Sequence, residues 1–172
     1  PLLAEAIFTG TEMLLGQTVN TNGAYLGREL AAAGISLYRQ VVIGDSLERI
    51  REAIDNARRW AELVIISGGL GPTEDDLSRE ALAAALGLPL VENLAARENA
   101  TRFFKARRRP MAASNLKQAL VPAGAMVLDN PNGTAAGLFL EHNGKLYALL
   151  PGPPREFEPM VKNQLLPLLE SY

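Results

Sequence analysis

Cysteine is absent from the 172-residue chain and histidine occurs once. These two gaps exclude disulfides, thiolate nucleophiles and thiolate zinc sites, and they suit a reducing, cytoplasmic setting. The single His142 sits in the run EHNGK, a hairpin tip, so neither a Ser-His-Asp triad nor a multi-histidine metal centre can be assembled. Aromatic residues make up 6% and the formal net charge is −2, which argues against a base-stacking platform and against a basic field for nucleic acid or anionic lipid. No apolar run reaches the ~18 residues of a membrane span, and the first residues lack the basic, apolar, small-residue order of a signal peptide. Nucleic acid and membrane are therefore not expected as partners. Any catalysis falls to carboxylates, hydroxyls, amides, backbone and Lys/Arg. What the chain has is a 48% apolar content, enough for the core of a single domain over residues 1–172.

Short apolar runs alternate with longer amphipathic ones. Residues 2–8 read as a strand, followed by a polar turn at Gly10, Thr11 and Glu12. Apolar positions at helical spacing predict a helix over about 20–33, closed by Gly34 in a left-handed cap. Residues 35–43 read as a strand, and Gly44-Asp45-Ser46 opens a helix that Asp45 or Ser46 can cap, with Ile50, Ile54, Ala57 and Ala61 on its buried face. Leu63 to Ser67 reads as a buried parallel strand before SGGLGP, and a further helix runs over about 77–86 to Gly87. The second half predicts a helix over 92–108, an unassigned stretch from Pro110 to Val121, a strand over 125–128, a hairpin turning at Asn143-Gly144, and a last helix over about 154–169. The repeated strand–helix order predicts an α/β fold, a three-layer α/β/α sandwich whose sheet is mostly parallel, with a β-hairpin near the C-terminus.

Ligands of open parallel sheets bind beyond the carboxyl ends of the strands. The loops that follow the strands here carry Gly10-Thr11-Glu12, Gly44-Asp45, SGGLGPTEDD (67–76) and PGPP (151–154), and NPNGTAAG (130–137) can reach the same edge. Gly68, Gly69 and Gly71 permit positive φ and close backbone approach, so their N–H groups can form an anion-binding nest. The run fits neither GxxxxGK[ST] nor GxGxxG, because Glu74 stands where the third glycine belongs. The plainer alternative is a glycine-rich turn with helix-capping acids, although one of Asp75 and Asp76 would suffice as a cap. If Glu12, Asp45 and Asp75/Asp76 converge around a phosphate, a hard cation must separate the charges, and oxygen-only ligation favours Mg²⁺ or Mn²⁺. Asp45 reads equally as a helix cap and Glu12 as loop surface. Asn20, Thr21 and Asn22 head a helix, where capping explains one of them and ligand hydrogen bonding the others. Ser114, Asn115, Lys117 and Gln118 read as a solvated turn, Arg107–Arg109 as a surface helix end, and Trp60 as packing.

The segments GTEMLLGQTVNTN (10–22), VVIGD (41–45), SGGLGPTEDDLSRE (67–80), RPMAASNLKQA (109–119), NPNGTAAG (130–137) and LPGPPREFEPM (150–160) together resemble the N-terminal domain of the competence/damage-inducible protein A (CinA) family. That domain belongs to the molybdopterin-binding superfamily, with the molybdenum-cofactor adenylyltransferases and insertases. The resemblance implies that these loops bind a small-molecule nucleotide or pterin phosphate, and that the chain forms homo-oligomers. It implies a metal-dependent ADP-ribose pyrophosphatase giving AMP and ribose 5-phosphate, with Mg²⁺, Mn²⁺ or Co²⁺ as cofactor. Glu12, Asp45 and Asp76 become metal and water-handling candidates, and Asp75 a further catalytic one. Gly68, Gly69, Gly71 and Thr73 would cradle phosphate, Thr11 would bind substrate, Asn20, Asn22, Asn115, Lys117 and Gln118 would assist recognition, and Gly133, Thr134, Gly152 and Pro153 would complete the walls. The same residues would serve a molybdopterin-binding or molybdopterin-adenylylating protein, or a non-catalytic nucleotide-binding module. The C-terminal amidase-like domain of full CinA proteins has no counterpart in these residues, so its activity is not transferred.

Overall fold

The computed structural model describes residues 2–172. Four strands form its parallel heart: β1 (Leu3–Thr9), β2 (Ser36–Ile43), β3 (Leu63–Ser67) and β8 (Lys145–Leu150). Between them come β4 (Leu90–Glu92), β5 (Leu120–Pro122), β6 (Met126–Leu128) and β7 (Gly137–His142). The main sheet runs β2-β1-β3-β8-β7-β6; β7 pairs antiparallel with both β8 and β6, so the hairpin extends the parallel sheet. At its tip Asn143 (φ 50°) and Gly144 (φ 77°) both take the left-handed conformation that a two-residue turn requires.

Each central strand alternates between two apolar layers because successive side chains point to opposite faces. Ala4, Ala6, Phe8, Leu63, Ile65 and Ala148 pack against α2 (Thr21–Ala32) and the C-terminal helices α6 (Pro154–Met160) and α7 (Leu166–Leu169). Ile7, Val64, Ile66, Tyr147 and Leu149 pack against α3 (Leu47–Ala57), α4 (Ser78–Leu86) and α5 (Leu94–Ala106). The three-layer α/β/α sandwich expected from the alternation is the observed architecture. β3 is buried along its whole length, as its unbroken apolar run requires.

Several local expectations need correction. The Gly10-Thr11-Glu12 turn continues into a one-turn helix, α1 (Thr11–Leu14). Of the two residues expected to cap α3, Ser46 does so, accepting from the Arg49 N–H. Glu92 ends β4 instead of opening a helix, and Asn93 caps α5. The unassigned stretch holds a 3-10 helix over Ala113–Ala119 and then β5, which pairs antiparallel with β4 in a second, two-stranded sheet. The last helix runs unbroken over 154–169 as expected, with a π-helical turn at Val161–Leu165 between α6 and α7 that the sequence did not announce. Trp60 does pack, edge-on against Tyr38 with ring centres 5.4 Å apart. No helix among the described residues is long and apolar enough to cross a membrane.

Candidate functional site

The carboxyl ends of β1, β2, β3 and β8 lie side by side, so the loops after them share one edge of the sheet. Backbone and side-chain bonds stitch those loops together. Gly10 N–H donates to the Ile43 carbonyl, Thr9 Oγ1 to the Ser67 carbonyl, Ser67 Oγ to the Pro151 carbonyl and Gly68 N–H to the Leu150 carbonyl.

Gly68 (φ 99°) and Gly69 (φ 70°) are consecutive left-handed residues. A Cβ at Gly68 would stand 2.6 Å from the Thr9 carbonyl oxygen, and one at Gly69 would collide with Ser78 Oγ, so neither position admits a side chain. The first turn of α4 then collects four successive loop carbonyls. Ser78 donates through Oγ to Gly68 and through N–H to Gly69, while the Arg79 guanidinium donates to Leu70 (2.8 Å) and Gly71 (3.1 Å). With those oxygens occupied, the N–H groups of Gly69, Leu70 and Gly71 find no partner among the described residues. That is the donor surplus an anion nest needs. Arg79 is only 2% exposed and has no carboxylate within salt-bridge distance among the described residues. Burial pulls its guanidinium below its ordinary pKa, with Glu80 and Asp76 opposing.

Two cavities flank the Gly152-Pro153 peptide. The first, about 280 Å³, is lined by Glu12, Met13, Asn20, Asn22, Gly68 and Pro153 among others. Asn20 is committed as the cap of α2, its side chain accepting from Gly23 N–H. Asn22 is 7% exposed, and its amide nitrogen donates to the Gly152 carbonyl at 2.7 Å. That bond fixes which end of the amide is oxygen, because a carbonyl can only be met by the NH₂. Asn22 Oδ1 is left buried without a partner. The second cavity, about 240 Å³, is lined by Gly71, Gln118, Gly133, Thr134, Pro153 and Glu156 among others.

The carboxylates do not converge as expected. Asp45 Oδ2 accepts from Thr11 N–H and Oγ1, and Asp45 N–H donates back to Thr11 Oγ1, so this pair caps α1. Asp76 Oδ2 accepts from Thr73 N–H and Oγ1, and Asp75 N–H donates to Thr73 Oγ1, which closes the loop on itself. Glu12 lines the first cavity, whereas Asp45, Asp75 and Asp76 line neither. Among the described residues no three His, Cys, Asp or Glu side chains stand close enough to hold a metal ion, so Glu12, Asp45 and Asp76 do not form a three-carboxylate cluster. Short polar neighbours satisfy two of those acids locally before they can meet.

Ser114 is exposed as expected of a solvated turn, but Asn115 and Gln118 are buried, and they and Lys117 are anchors. Lys117 Nζ donates to the Thr73 and Asp76 carbonyls, at 2.7 and 2.6 Å. Asn115 donates to Gln118 Oε1, and Gln118 donates to the Leu70 carbonyl and to Thr134 Oγ1, tying the glycine loop to residues 130–137. Asn99, Asn130 and Glu156 lie outside the predicted set. Asn99 holds the Gly133 and Thr134 carbonyls, and Asn130 donates to the Ala135 carbonyl and to Glu156 Oε1. Asn99 is detectable as an amide on the apolar face of α5 beside Ala96 and Ala100; Glu156 carries no such signal.

The family profile described as a probable molybdopterin binding domain matches residues 5–171. The chain belongs to this molybdopterin-binding-domain family. Within the family it is similar to CinA-like proteins. The chain is 82% identical over 169 residues to a "putative competence-damage inducible protein" of Moorella thermoacetica, covering 98% of this chain and 41% of that protein. It therefore spans well under half the length of that relative. A solved structure of a CinA protein of unknown function from Thermoplasma acidophilum superposes with a TM-score of 0.84 at 36% identity, covering 93% of this chain and 94% of that one. The molybdopterin biosynthesis enzyme MoaB of Thermus thermophilus superposes with a TM-score of 0.62 at 15% identity over 100% of this chain and 98% of that one, a likeness of fold. In this molybdopterin-binding-domain chain, then, the family loops surround the cleft at one sheet edge, while of the three acids expected at a metal Asp45 holds the start of α1 and Asp76 closes the glycine loop.

Proposed function

We propose that the chain binds a phosphorylated heterocycle, a molybdopterin-type pterin phosphate or an adenine nucleotide, with the phosphate on the glycine loop and the ring in the first cavity. The observation that carries this reading is Asn22. An amide oxygen, oriented by the Gly152 bond and buried without a partner, is costly to keep unless a ligand N–H or O–H meets it. The unpartnered N–H groups of Leu70 and Gly71, on the wall of the second cavity across the Gly152-Pro153 peptide, supply donors for phosphate. Membership of the molybdopterin-binding-domain family favours the pterin member of this ligand class. A protein-built metal centre does not fit the donor set, so binding is expected with chelator present. Titration calorimetry of EDTA-treated protein with molybdopterin and with AMP tests the reading. Saturable binding weakened about tenfold in Asn22→Ala, roughly one hydrogen bond, is the expected result. Failure of both ligands to bind at millimolar concentration would sink it.

Glu12 favours one further reading, hydrolysis of a nucleoside-diphosphate sugar such as ADP-ribose. Its exposed carboxylate is the one predicted acid on a cavity wall, where it can orient or deprotonate water. AMP release from ADP-ribose with Mg²⁺, Mn²⁺ or Co²⁺, abolished in Glu12→Gln, would support this activity; equal release by the variant would remove Glu12 from it.

A further inference from the structure

A third cavity lies between the edge strand β2 and α3, and it shares no lining residue with the two beside Gly152-Pro153. It encloses about 200 Å³, below the roughly 300–1,000 Å³ of pockets for drug-sized ligands, so only a small molecule fits. Its floor is Glu5 on β1, 2% exposed, while every other lining residue is half-buried or exposed. The two oxygens of that carboxylate are unequal. Oε2 has Arg39 at 3.8 Å, whereas Oε1 is buried without a hydrogen-bond partner. The Trp60 indole N–H favours the charged form of the same carboxyl, yet no hydrogen bond reaches Oε1. A buried acceptor in this state is costly unless a donor from outside meets it.

The mouth carries the opposite sign. Arg39 and Arg49 stand there with side chains 56% and 75% exposed. Arg49 has Glu52 at 3.6 Å and Arg39 has only the far oxygen of Glu5, both beyond hydrogen-bond length, so the two guanidiniums keep donors to offer. Val41, Ile43 and Ala53 supply the apolar part of the wall. A lone cation would gain Glu5 but meet two guanidiniums; a lone anion would gain the guanidiniums but meet the buried carboxylate. A molecule with an ammonium and a carboxylate a few bonds apart satisfies both ends. We propose that this cavity binds a free α-amino acid with a small aliphatic side chain. Its ammonium donates to Glu5 Oε1, its carboxylate accepts from Arg39 and Arg49, and its side chain packs on Val41, Ile43 and Ala53. The site is independent of what the glycine loop binds.

Calorimetry of the pure protein with L-alanine, L-valine and L-leucine tests this. Each is compared with its decarboxylated amine (ethylamine, isobutylamine, isopentylamine) and its deaminated acid (propanoate, 3-methylbutanoate, 4-methylpentanoate). At least one amino acid is expected to bind saturably below about 10 mM, and at least tenfold more tightly than either its amine or its acid. Glu5→Gln keeps the shape of the floor and removes its charge, so that amino acid should bind at least tenfold more weakly to the variant and no better than its acid. A cooperative urea melt establishes that the variant is folded. Absence of amino-acid binding to wild type overturns the proposal without recourse to any variant. So does a preference below tenfold over the amine, which leaves a plain cation site, or over the acid, which leaves an anion site at the mouth. A preference that folded Glu5→Gln retains overturns it as well.

Discussion

Gly68→Ala should damage this protein for two separable reasons. The first is conformational: φ at Gly68 is 99°, and an L-residue pays about 1–2 kcal/mol to adopt left-handed backbone. The second is steric. The added methyl would lie 2.6 Å from the Thr9 carbonyl oxygen and 2.7 Å from Thr9 Oγ1. Thr9 ends a central strand and is 5% exposed, so it cannot swing aside. Overpacking against fixed atoms adds about 1–3 kcal/mol, for a total of about 2–5 kcal/mol. Against a typical 5–15 kcal/mol of total stability, that is severe, and it corresponds to a fall of about 5–15 °C in Tm for a chain this long. Gly34→Ala isolates the first cause, because Gly34 also has positive φ (78°) but nothing within 4 Å of its would-be Cβ. It should cost about 1–2 kcal/mol. Urea denaturation of both variants and wild type, compared at equal m, measures the difference. If Gly68→Ala is no more destabilising than Gly34→Ala, the close approach of the glycine loop to β1 is not what demands glycine, and the reasoning is wrong.

Glu5 and Arg79 offer two further tests. Glu5 is 2% exposed on β1, with Oε1 unpartnered and Oε2 3.8 Å from an exposed Arg39, so burial raises its carboxyl above the ordinary 4.5 and Arg39 offsets this only partly. A raised carboxyl contributes stability that is complete below the unfolded value and is lost as pH climbs through the folded one. Glu5→Gln should therefore be more stable than wild type at pH 7, by about 1 kcal/mol, with the gap closing toward pH 4; chemical melts across that range check it, and a gap that widens at low pH contradicts it. Arg79→Met removes two donors from the Leu70 and Gly71 carbonyls and should cost about 2–4 kcal/mol. Amide exchange at Thr73, whose N–H is held by Asp76 Oδ2, should accelerate with it, and unchanged exchange there would show that the guanidinium does not shape the loop.

Much of the fold is legible in the sequence because its long elements have clean periods. The β3 apolar run and the α2 and α3 stripes announce themselves, and Asn143-Gly144 specifies its own turn. The three-residue β4 and β5 are too short to show a period, and they form only because chain segments some thirty residues apart meet. The π-turn at Val161–Leu165 leaves no period of its own to detect. Ser114, Asn115, Lys117 and Gln118 read as solvated because polarity is the only local signal; Gln118 is buried with Leu70 and Thr134, remote in sequence, accepting its bonds, and Asn115 is buried donating to Gln118. The glycine loop is legible for a local reason: three glycines in four residues free the backbone for the left-handed φ that Gly68 and Gly69 adopt.

The acids show where one-dimensional reading fails. Asp45 and Thr11 are thirty-four positions apart, and no spacing rule says that the hydroxyl of one will take the carboxylate of the other. Asp76 and Thr73 are neighbours, and their pairing competes with a ligand for the same oxygen. A carboxylate already accepting from an N–H and a hydroxyl is a poorer repeller of phosphate and a poorer magnet for a cation than a bare one. The cations at the loop act the same way: Arg79 and Lys117 hold carbonyls of residues 70, 71, 73 and 76, so their charge and the loop's unpartnered N–H groups reinforce each other. An edge that looks, by composition, like an acidic metal cluster is by geometry a donor-rich nest with its acids turned to structural use. That geometry supports the proposed reading, in which free N–H groups of Leu70 and Gly71 meet a phosphate and the partnerless Asn22 Oδ1 meets a ring donor on the other side of Gly152-Pro153.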